Sequence, residues 1–567
     1  MTGPTSPGGA SAASVTGGAS AALAELAART WERTLELNPT LATVLGDERY
    51  DDRLDDLGPA GRAARRALAE EAKTGALAID PAGLSEEERI SRDLLVLLSE
   101  QEIAEDDLRA DLVATVEQTG HQSLLPQIVQ LQKADTEERL ERLLARIAAY
   151  PALTDAVIDL LDEGRAAGLT AARVVAERAV GQLERLLAAP PETSPIVTVP
   201  RVSRESDRAR LLDAVERHVR QADVRYLEAL RAYLPATREE PGLASLPDGD
   251  VRYAAKVRAY TSLDVTPEEL HRVGLEELES IEGERRAIAR AAGFGDDTAA
   301  YRAALNADPA GIPPTPEALV ARCQEDVERA FAAAPRWFSR IPKARCEVRR
   351  VEPLLEMDAP GAFYYPPTMD GTRPGIYFVN AYDLPSRAYW IAASTTYHEA
   401  VPGHHFQLAL EMEIDGLPAF RTLGSWPQGT AYVEGWALYT ERVADEAGLF
   451  RSEAERFGML DSQALRAVRL VVDTGLHAFG WSRRKAFETM VAAGIHPTDA
   501  GSETDRYVAW PGQALAYMTG RREIERLRAE RARREGDAFD VRRFHDDVLR
   551  HGKLPLQILA HAVLGSA

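Results

Sequence analysis

From about residue 22 to about residue 340 the chain carries apolar residues at helical spacing and little that reads as strand, and this periodicity restricts the fold more than any other feature. Leu140, Leu143, Leu144 and Ile147 fall on one helical face, and Asp135 with Glu138 fits a capping box in front of them. Thr266-Pro267-Glu268-Glu269 gives a second helix start, with a capping Thr, a Pro at the first helical position and a Glu at the third. Thr315-Pro316-Glu317 opens another. After about Arg345 the period shortens. Cys346 to Val351, Ala362 to Tyr365 and Ile376 to Val379 are short β-like runs, with Met369-Asp370-Gly371 as a turn between the last two. Helical spacing resumes from Ser386. The expected fold is mainly α with a small inserted sheet. No repeat of fixed period appears, which argues against a solenoid. The breaks at Pro190–Pro191 and Gly311–Pro316 read as loops in one body. Residues 1–21, rich in Gly, Ser, Ala and Thr, read as a flexible leader. That leaves 22–567 as a single domain: a helical lobe to about 340, a sheet at about 345–380 and a second lobe at about 386–567.

The 567 residues include 67 basic and 89 acidic side chains, a net charge of 67 − 89 = −22. That sign disfavours a nucleic-acid backbone or an anionic membrane as the main partner. The run Arg521 to Arg533 is interleaved with Glu and reads as a solvated helix face. Cys323 and Cys346 cannot make a disulfide framework and lack C-x-x-C spacing, so both read as buried thiols. No stretch reaches the roughly 18–20 uninterrupted apolar residues of a membrane span. The first basic residue is Arg29, so no signal-peptide n-region is present. The expected location is the cytoplasm.

Chemistry concentrates in Tyr397-His398-Glu399-Ala400-Val401-Pro402-Gly403-His404-His405, which holds three of the 11 histidines beside a Glu. Imidazole is a good zinc ligand, and an adjacent carboxylate is the usual base for an activated water. The spacing differs from H-E-x-x-H, because His398 to His404 is six residues and His398 to His405 is seven. In an unbroken helix the seventh residue returns to the same face but lies about 10 Å away. Pro402 and Gly403 favour a kink or a π-type bulge, which would bring His404 to the place of the second ligand. His404 is therefore preferred and His405 stays open as the second choice. Thirty residues on, Glu434 opens a helical segment that could present a third ligand. Glu441, one heptad later, is either an outer carboxylate or a surface charge. A capped helix end or a satisfied core cluster is the plain alternative for the whole group.

H-E-x-x-x-P-G-H followed by Glu434-Gly435-Trp436-Ala437-Leu438-Tyr439 resembles the bacterial family catalogued as "domain of unknown function 885". Two further segments match it in order. One is Arg469-Leu470-Val471-Val472-Asp473-Thr474-Gly475-Leu476-His477 with Trp481, and the other is Pro511-Gly512-Gln513-Ala514-Leu515-Ala516-Tyr517 with Gly520. That family looks like a distant relative of zinc carboxypeptidases of the Taq type and, more loosely, of angiotensin-converting enzyme and the oligopeptidases. The resemblance implies a helix-rich, two-lobed, metallopeptidase-like catalytic body, with a deep cleft and a short sheet along one wall. It implies His398, His404 and Glu434 as ligands of one zinc ion, manganese or cobalt being alternatives, and Glu399 as base. Since related enzymes use Tyr and His on the oxyanion, Tyr517 and His477 are the first candidates there and Tyr507 the next.

Asp473 could orient a ligand histidine or simply pair with Arg469. Arg466, Arg469 and Arg506 could hold a substrate carboxylate, though a structural ion pair is the favoured reading for any one of them, and Gln513 falls in a matching motif. Phe363-Tyr364-Tyr365 and Ile376-Tyr377-Phe378 suggest an edge for an extended peptide. The expected activity is zinc-dependent hydrolysis of an amide bond in a short peptide or peptide-like molecule. A hydrolase of a non-peptide amide or ester, or an inactive helical binding protein on the same scaffold, are the alternatives. No nucleic-acid or membrane partner is expected, and a homodimer stays open.

Overall fold

The computed structural model describes residues 12–565 apart from residues 115, 117–119, 201, 203, 354–355, 357–358, 369–372 and 425. The turn expected at Met369-Asp370-Gly371 lies outside the described residues. The described chain is mainly helical and carries a small three-stranded sheet. It divides into two compact units, Met1–Glu239 with Pro418–Gly424, and Glu240–Leu417 with Ser425–Ala567. The sequence predicts one domain over 22–567 with a lobe boundary near 340. The division instead falls at Glu239, because the helices that follow it pack on the C-terminal ones.

In the first unit, α1 (Ala12–Leu37) packs on α2 (Pro59–Ala78), which packs on α3 (Glu86–Asp107). Helix α1 begins inside the stretch expected to be a flexible leader. Alanine-rich sequence favours helix, and Leu23 and Leu26 bury their side chains. Beyond them, α6 (Arg220–Tyr233) packs against both α4 (Glu137–Ala167) and α5 (Arg173–Ala188). Leu140, Leu143 and Ile147 of the expected apolar face are fully buried in this core, with Leu144 packed at its margin. The cap of α4 is Thr136, whose hydroxyl accepts from the Arg139 amide at 3.2 Å. Asp135 is thereby left one residue outside the helix, where it pairs with the Arg139 guanidinium.

The second unit contains α7 (Gly249–Thr261), α8 (Pro267–Ala291) and α9 (Pro316–Ala333). The capping box at Thr266 and Glu269 forms as expected, with both reciprocal bonds present. Strands β1 (Cys346–Arg350), β2 (Ala362–Tyr365) and β3 (Gly375–Val379) follow in the order β1-β3-β2. β3 is central, parallel to β1 and antiparallel to β2, with Phe363 opposite Phe378. Ile376-Tyr377-Phe378 is therefore paired on both sides and offers no edge, whereas Phe363-Tyr364-Tyr365 lies in the edge strand.

The helices α10 (Tyr389–Glu399), α11 (His404–Met412), α12 (Thr430–Glu446), α13 (Glu453–His477), α14 (Pro497–Ala509) and α15 (Ala516–Glu535) complete this unit. Two close approaches set its core. A Cβ on Gly274 of α8 would lie 2.8 Å from the Leu470 side chain of α13. A Cβ on Gly435 of α12 would lie 2.4 Å from the Gly520 backbone of α15, so this crossing tolerates no side chain. The Arg-rich run lies on α15, but Arg521 turns inward to Gln463 at 2.8 Å, so the face is only partly solvated. Both cysteines are buried free thiols. Among the described residues no helix is long and apolar enough to cross a membrane.

Candidate functional site

The histidine-rich segment is a helix break. Helix α10 ends at Glu399, Ala400 adopts φ −107° and ψ −104°, and α11 restarts at His404. A proline lacks the amide that would continue α10 and restricts the residue before it. Gly403 packs so tightly that a Cβ there would sit 1.9 Å from the His398 carbonyl oxygen. The His405 amide donates to the Ala400 carbonyl at 3.1 Å, closing the turn. Buried Trp436 of α12 donates its indole N–H to the Pro402 carbonyl at 3.0 Å. The expected bulge within one helix is thus two helices joined by a tight turn, and the reason is the pair Pro402-Gly403.

This turn puts His398 and His404 face to edge, with ring centroids 5.0 Å apart at 83°. Donor atoms of His398, Glu399 and His404 lie within 4.8 Å of one another, a group able to hold a metal ion. Glu434 of α12 joins them, with Oε2 at 3.5 Å from His398 Nε2 and 3.6 Å from His404 Nε2. Both separations exceed the roughly 2.7–2.9 Å of a charge-assisted hydrogen bond. Three donor atoms therefore face one another across a gap.

Behind His398 stands Glu441, fully buried, accepting from Nδ1 at 2.9 Å. It also accepts from Ser394 and Gln463, each at 2.9 Å. Glu441 is thus a buried partner of His398 and not a surface charge, because α12 turns Glu434 and Glu441 to the same side. Burial disfavours protonation of His398, but Glu434 and Glu441 outweigh it and hold its pKa up at about 9. Burial likewise works against the Glu434 carboxylate, and the two imidazoles reverse that and lower its pKa well below the usual range. His404 keeps a buried Nδ1 with no hydrogen-bond partner.

His405 behaves differently. Its Nε2–H donates to the Ala344 carbonyl at 3.1 Å, and its Nδ1 accepts from the Tyr364 hydroxyl at 2.8 Å. Both nitrogens are occupied and burial lowers its pKa to about 4, so it is a neutral core histidine. Of the two neighbouring histidines, His404 is the one that lies beside Glu434.

The donor cluster opens on a hollow of about 350 Å³, within the roughly 300–1,000 Å³ typical of small-molecule sites. Its walls include Glu399, strand residues Phe363 and Tyr364, Arg466 and Arg469 of α13, and Tyr517 of α15. Tyr517, predicted near the oxyanion, is present. His477 is a correction: it is fully buried, accepts from the Leu243 amide and donates to the Tyr507 carbonyl, so it acts as a structural clip. Asp473 is another. It accepts from the Tyr253 hydroxyl at 2.6 Å and the Gly512 amide at 3.1 Å, and pairs with neither His398, His404 nor Arg469. Burial pushes its pKa up to about 7.

Tyr507 is buried away from the hollow and its hydroxyl accepts from Arg469 Nε at 2.9 Å. Arg506 pairs with Glu503 at 3.1 Å, and Gln513 occupies the short turn Gln513–Leu515; neither lines the hollow. Sequence reasoning missed Glu503, which binds Arg469 at 2.8 Å and accepts from Tyr507. Its spacing of four from Tyr507 on α14 was the available signal.

The model of a family described as a bacterial protein of unknown function (DUF885) matches residues 39–563. The chain belongs to this family. Among solved structures, one from Colwellia psychrerythraea, described as "the putative lipoprotein", superposes on this DUF885 chain with a TM-score of 0.86 at 26% identity. The match covers 96% of this chain and 98% of that one. A second, from Shewanella oneidensis, described as "a putative lipoprotein of unknown function", gives a TM-score of 0.76 at 20% identity. It covers 96% of this chain and 99% of that one. No curated protein matches the chain.

Proposed function

We propose that this DUF885 member is a metallo-carboxypeptidase-like, zinc-dependent hydrolase acting on an amide bond of a short peptide or peptide-like molecule. The observation that carries the reading is the convergence of His398 Nε2, His404 Nε2 and Glu434 Oε2, with Glu399 beside them. Zn–N and Zn–O distances of about 2.0–2.2 Å place neighbouring vertices of a tetrahedron roughly 3.3–3.6 Å apart. The separations of 3.5 and 3.6 Å match that spacing. Zinc suits this mixed donor set, while ligand type alone leaves manganese or cobalt as alternatives.

When bound, the metal would acidify a water and polarise a carbonyl oxygen. The chain's own groups do the rest. Glu399 takes the proton from the water and returns it to the leaving nitrogen. The Tyr517 hydroxyl donates to the oxygen that becomes negative. Glu441 fixes the His398 tautomer, so that Nε2 presents its lone pair. The deep cleft of metallopeptidase-like bodies belongs to the same proposal, as does the cytoplasmic location. Cell fractionation tests the location against the lipoprotein description of the two similar structures.

Elemental analysis of the purified protein tests the metal site. One zinc per chain in the wild type and in His405→Ala, lost in His404→Ala, is the expected result. No zinc in the wild type after zinc is supplied would overturn the hydrolase mechanism.

A further inference from the structure

We infer that Arg469 is a positioning residue: it grips the Tyr517 ring and so aims the Tyr517 hydroxyl into the hollow beside the donor cluster. This role rests on the metal-hydrolase reading above and deepens it. Helix α15 fixes only part of Tyr517. Its backbone is pinned to α12 where Gly520 meets Gly435, one residue past Glu434. Tyr517 stands one turn before that crossing, and its ring can still turn about two side-chain torsions. Among the described residues the Tyr517 hydroxyl makes no hydrogen bond, so the direction of that O–H is set through the ring.

A guanidinium holds the ring. Arg469 Cζ lies 4.4 Å from the ring centre, close enough for a cation–π contact. Arg469 is itself anchored twice: Nε donates to the Tyr507 hydroxyl at 2.9 Å and Nη2 to Glu503 at 2.8 Å. Tyr507 also donates to Glu503, so the three groups close on one another. The remaining nitrogen, Nη1, is buried and has no hydrogen-bond partner. An unpaired buried donor is costly, and the π-face of Tyr517 is the electron-rich surface that this guanidinium meets. Arg469 is 5% exposed, so water screens its charge little from that ring. Arg466, one turn earlier, is farther from the same ring at 5.9 Å, and its Nη1 is spent on Ser462 at 2.8 Å. Asp473, one turn after Arg469, accepts from the Gly512 amide in the turn that leads into α15. The stretch Arg469-Leu470-Val471-Val472-Asp473 thus grips the Tyr517 ring with its first residue and the approach to its helix with its last.

The test uses the full-length, zinc-loaded protein and acetohydroxamate, a zinc-binding probe whose carbonyl oxygen offers Tyr517 an acceptor. By calorimetry, Tyr517→Phe should weaken its binding about tenfold. In an Arg469→Met background the same change should weaken it less than about twofold, because the hydroxyl is no longer aimed. If Arg469 only supports the core, the difference stays at about tenfold in both backgrounds, and that result overturns the inference. So does the absence of any effect of Tyr517→Phe in the wild type, which leaves the metal reading intact. If Arg469→Met fails to fold, Tyr507→Phe takes its place. It keeps the ring, removes the hydroxyl that links Arg469 to Glu503, and should shrink the difference to about threefold, an undiminished difference again overturning the inference. If no zinc binds, the hydrolase reading falls, and the grip is read in the metal-free protein by fluorine NMR with 3-fluorotyrosine at position 517. Its signal should move toward that of the urea-unfolded chain in Arg469→Met or Tyr507→Phe, and an unmoved signal overturns the inference as well.

Discussion

Each unit buries a polar cluster built from the same residue types, and the two are organised in opposite ways. In the first unit Tyr150 stands between a histidine and a carboxylate. Its ring stacks on His121 at 4.5 Å and its hydroxyl donates to Asp223 at 3.0 Å. His121 donates to Thr154 at 2.8 Å, and burial lowers its pKa to about 3. Burial also raises Asp223 to about 6, against the Tyr150 hydrogen bond. The aromatic ring separates the groups, and each is driven toward neutrality. In the second unit His398 lies between Glu434 and Glu441 with no spacer, and each is driven toward its charged form. Charge concentrated in a buried place is costly unless well compensated. The first arrangement is what a core accepts, and the second is what the proposed cation site requires.

Glu399→Gln offers the sharpest way to break that contrast. The second cluster should keep its metal while turnover of a peptide substrate falls by about 10²–10⁴-fold. Unchanged turnover with metal retained would remove Glu399 from the reaction. Next in size is a pH effect in the first unit. Asp223 is raised from 3.8 to about 6, so its stabilising, protonated form is complete below about pH 4 and lost as pH rises through 6. Two pH units correspond to about 3 kcal/mol. Denaturant unfolding between pH 4 and 7 should show this slope, and Asp223→Asn should flatten it. A slope identical in the variant would mean the cluster is not neutral as described. The smallest effect is expected for Glu441→Gln, which keeps the shape and removes the charge behind His398. Zinc affinity should weaken by about 10–100-fold in a competition titration. No change would make Glu441 an ordinary core group.

Much of the helical fold is legible in the sequence because it is local. Thr266 with Glu269, and Thr315 with Pro316, announce helix starts within four residues, and the structure has them there. The three strands fall where β-like runs break the helical period. The unit boundary at Glu239 was not legible, since it depends on which distant helices accept one another, as at Gly274 and Leu470. The same division separates the site residues. Glu399, His404 and Glu434 follow from spacing and residue type. Asp473 and His477 look equally chemical in sequence, but their partners Tyr253 and Leu243 lie more than two hundred positions away. Long-range partners decide whether a polar residue is satisfied in the core or left facing a hollow.

The turn between α10 and α11 carries one more consequence. Where two ligand histidines share one helix, helical hydrogen bonds fix their distance whether or not a metal is present. Here His398 lies in the last turn of one helix and His404 begins the next, and the tether from Trp436 to Pro402 joins both to the helix bearing Glu434. An ion in the gap would act as a staple across three separately hinged pieces of backbone. Occupancy should then be written in the opening motions of the turn, and exchange of the His405 amide hydrogen should slow as zinc is added.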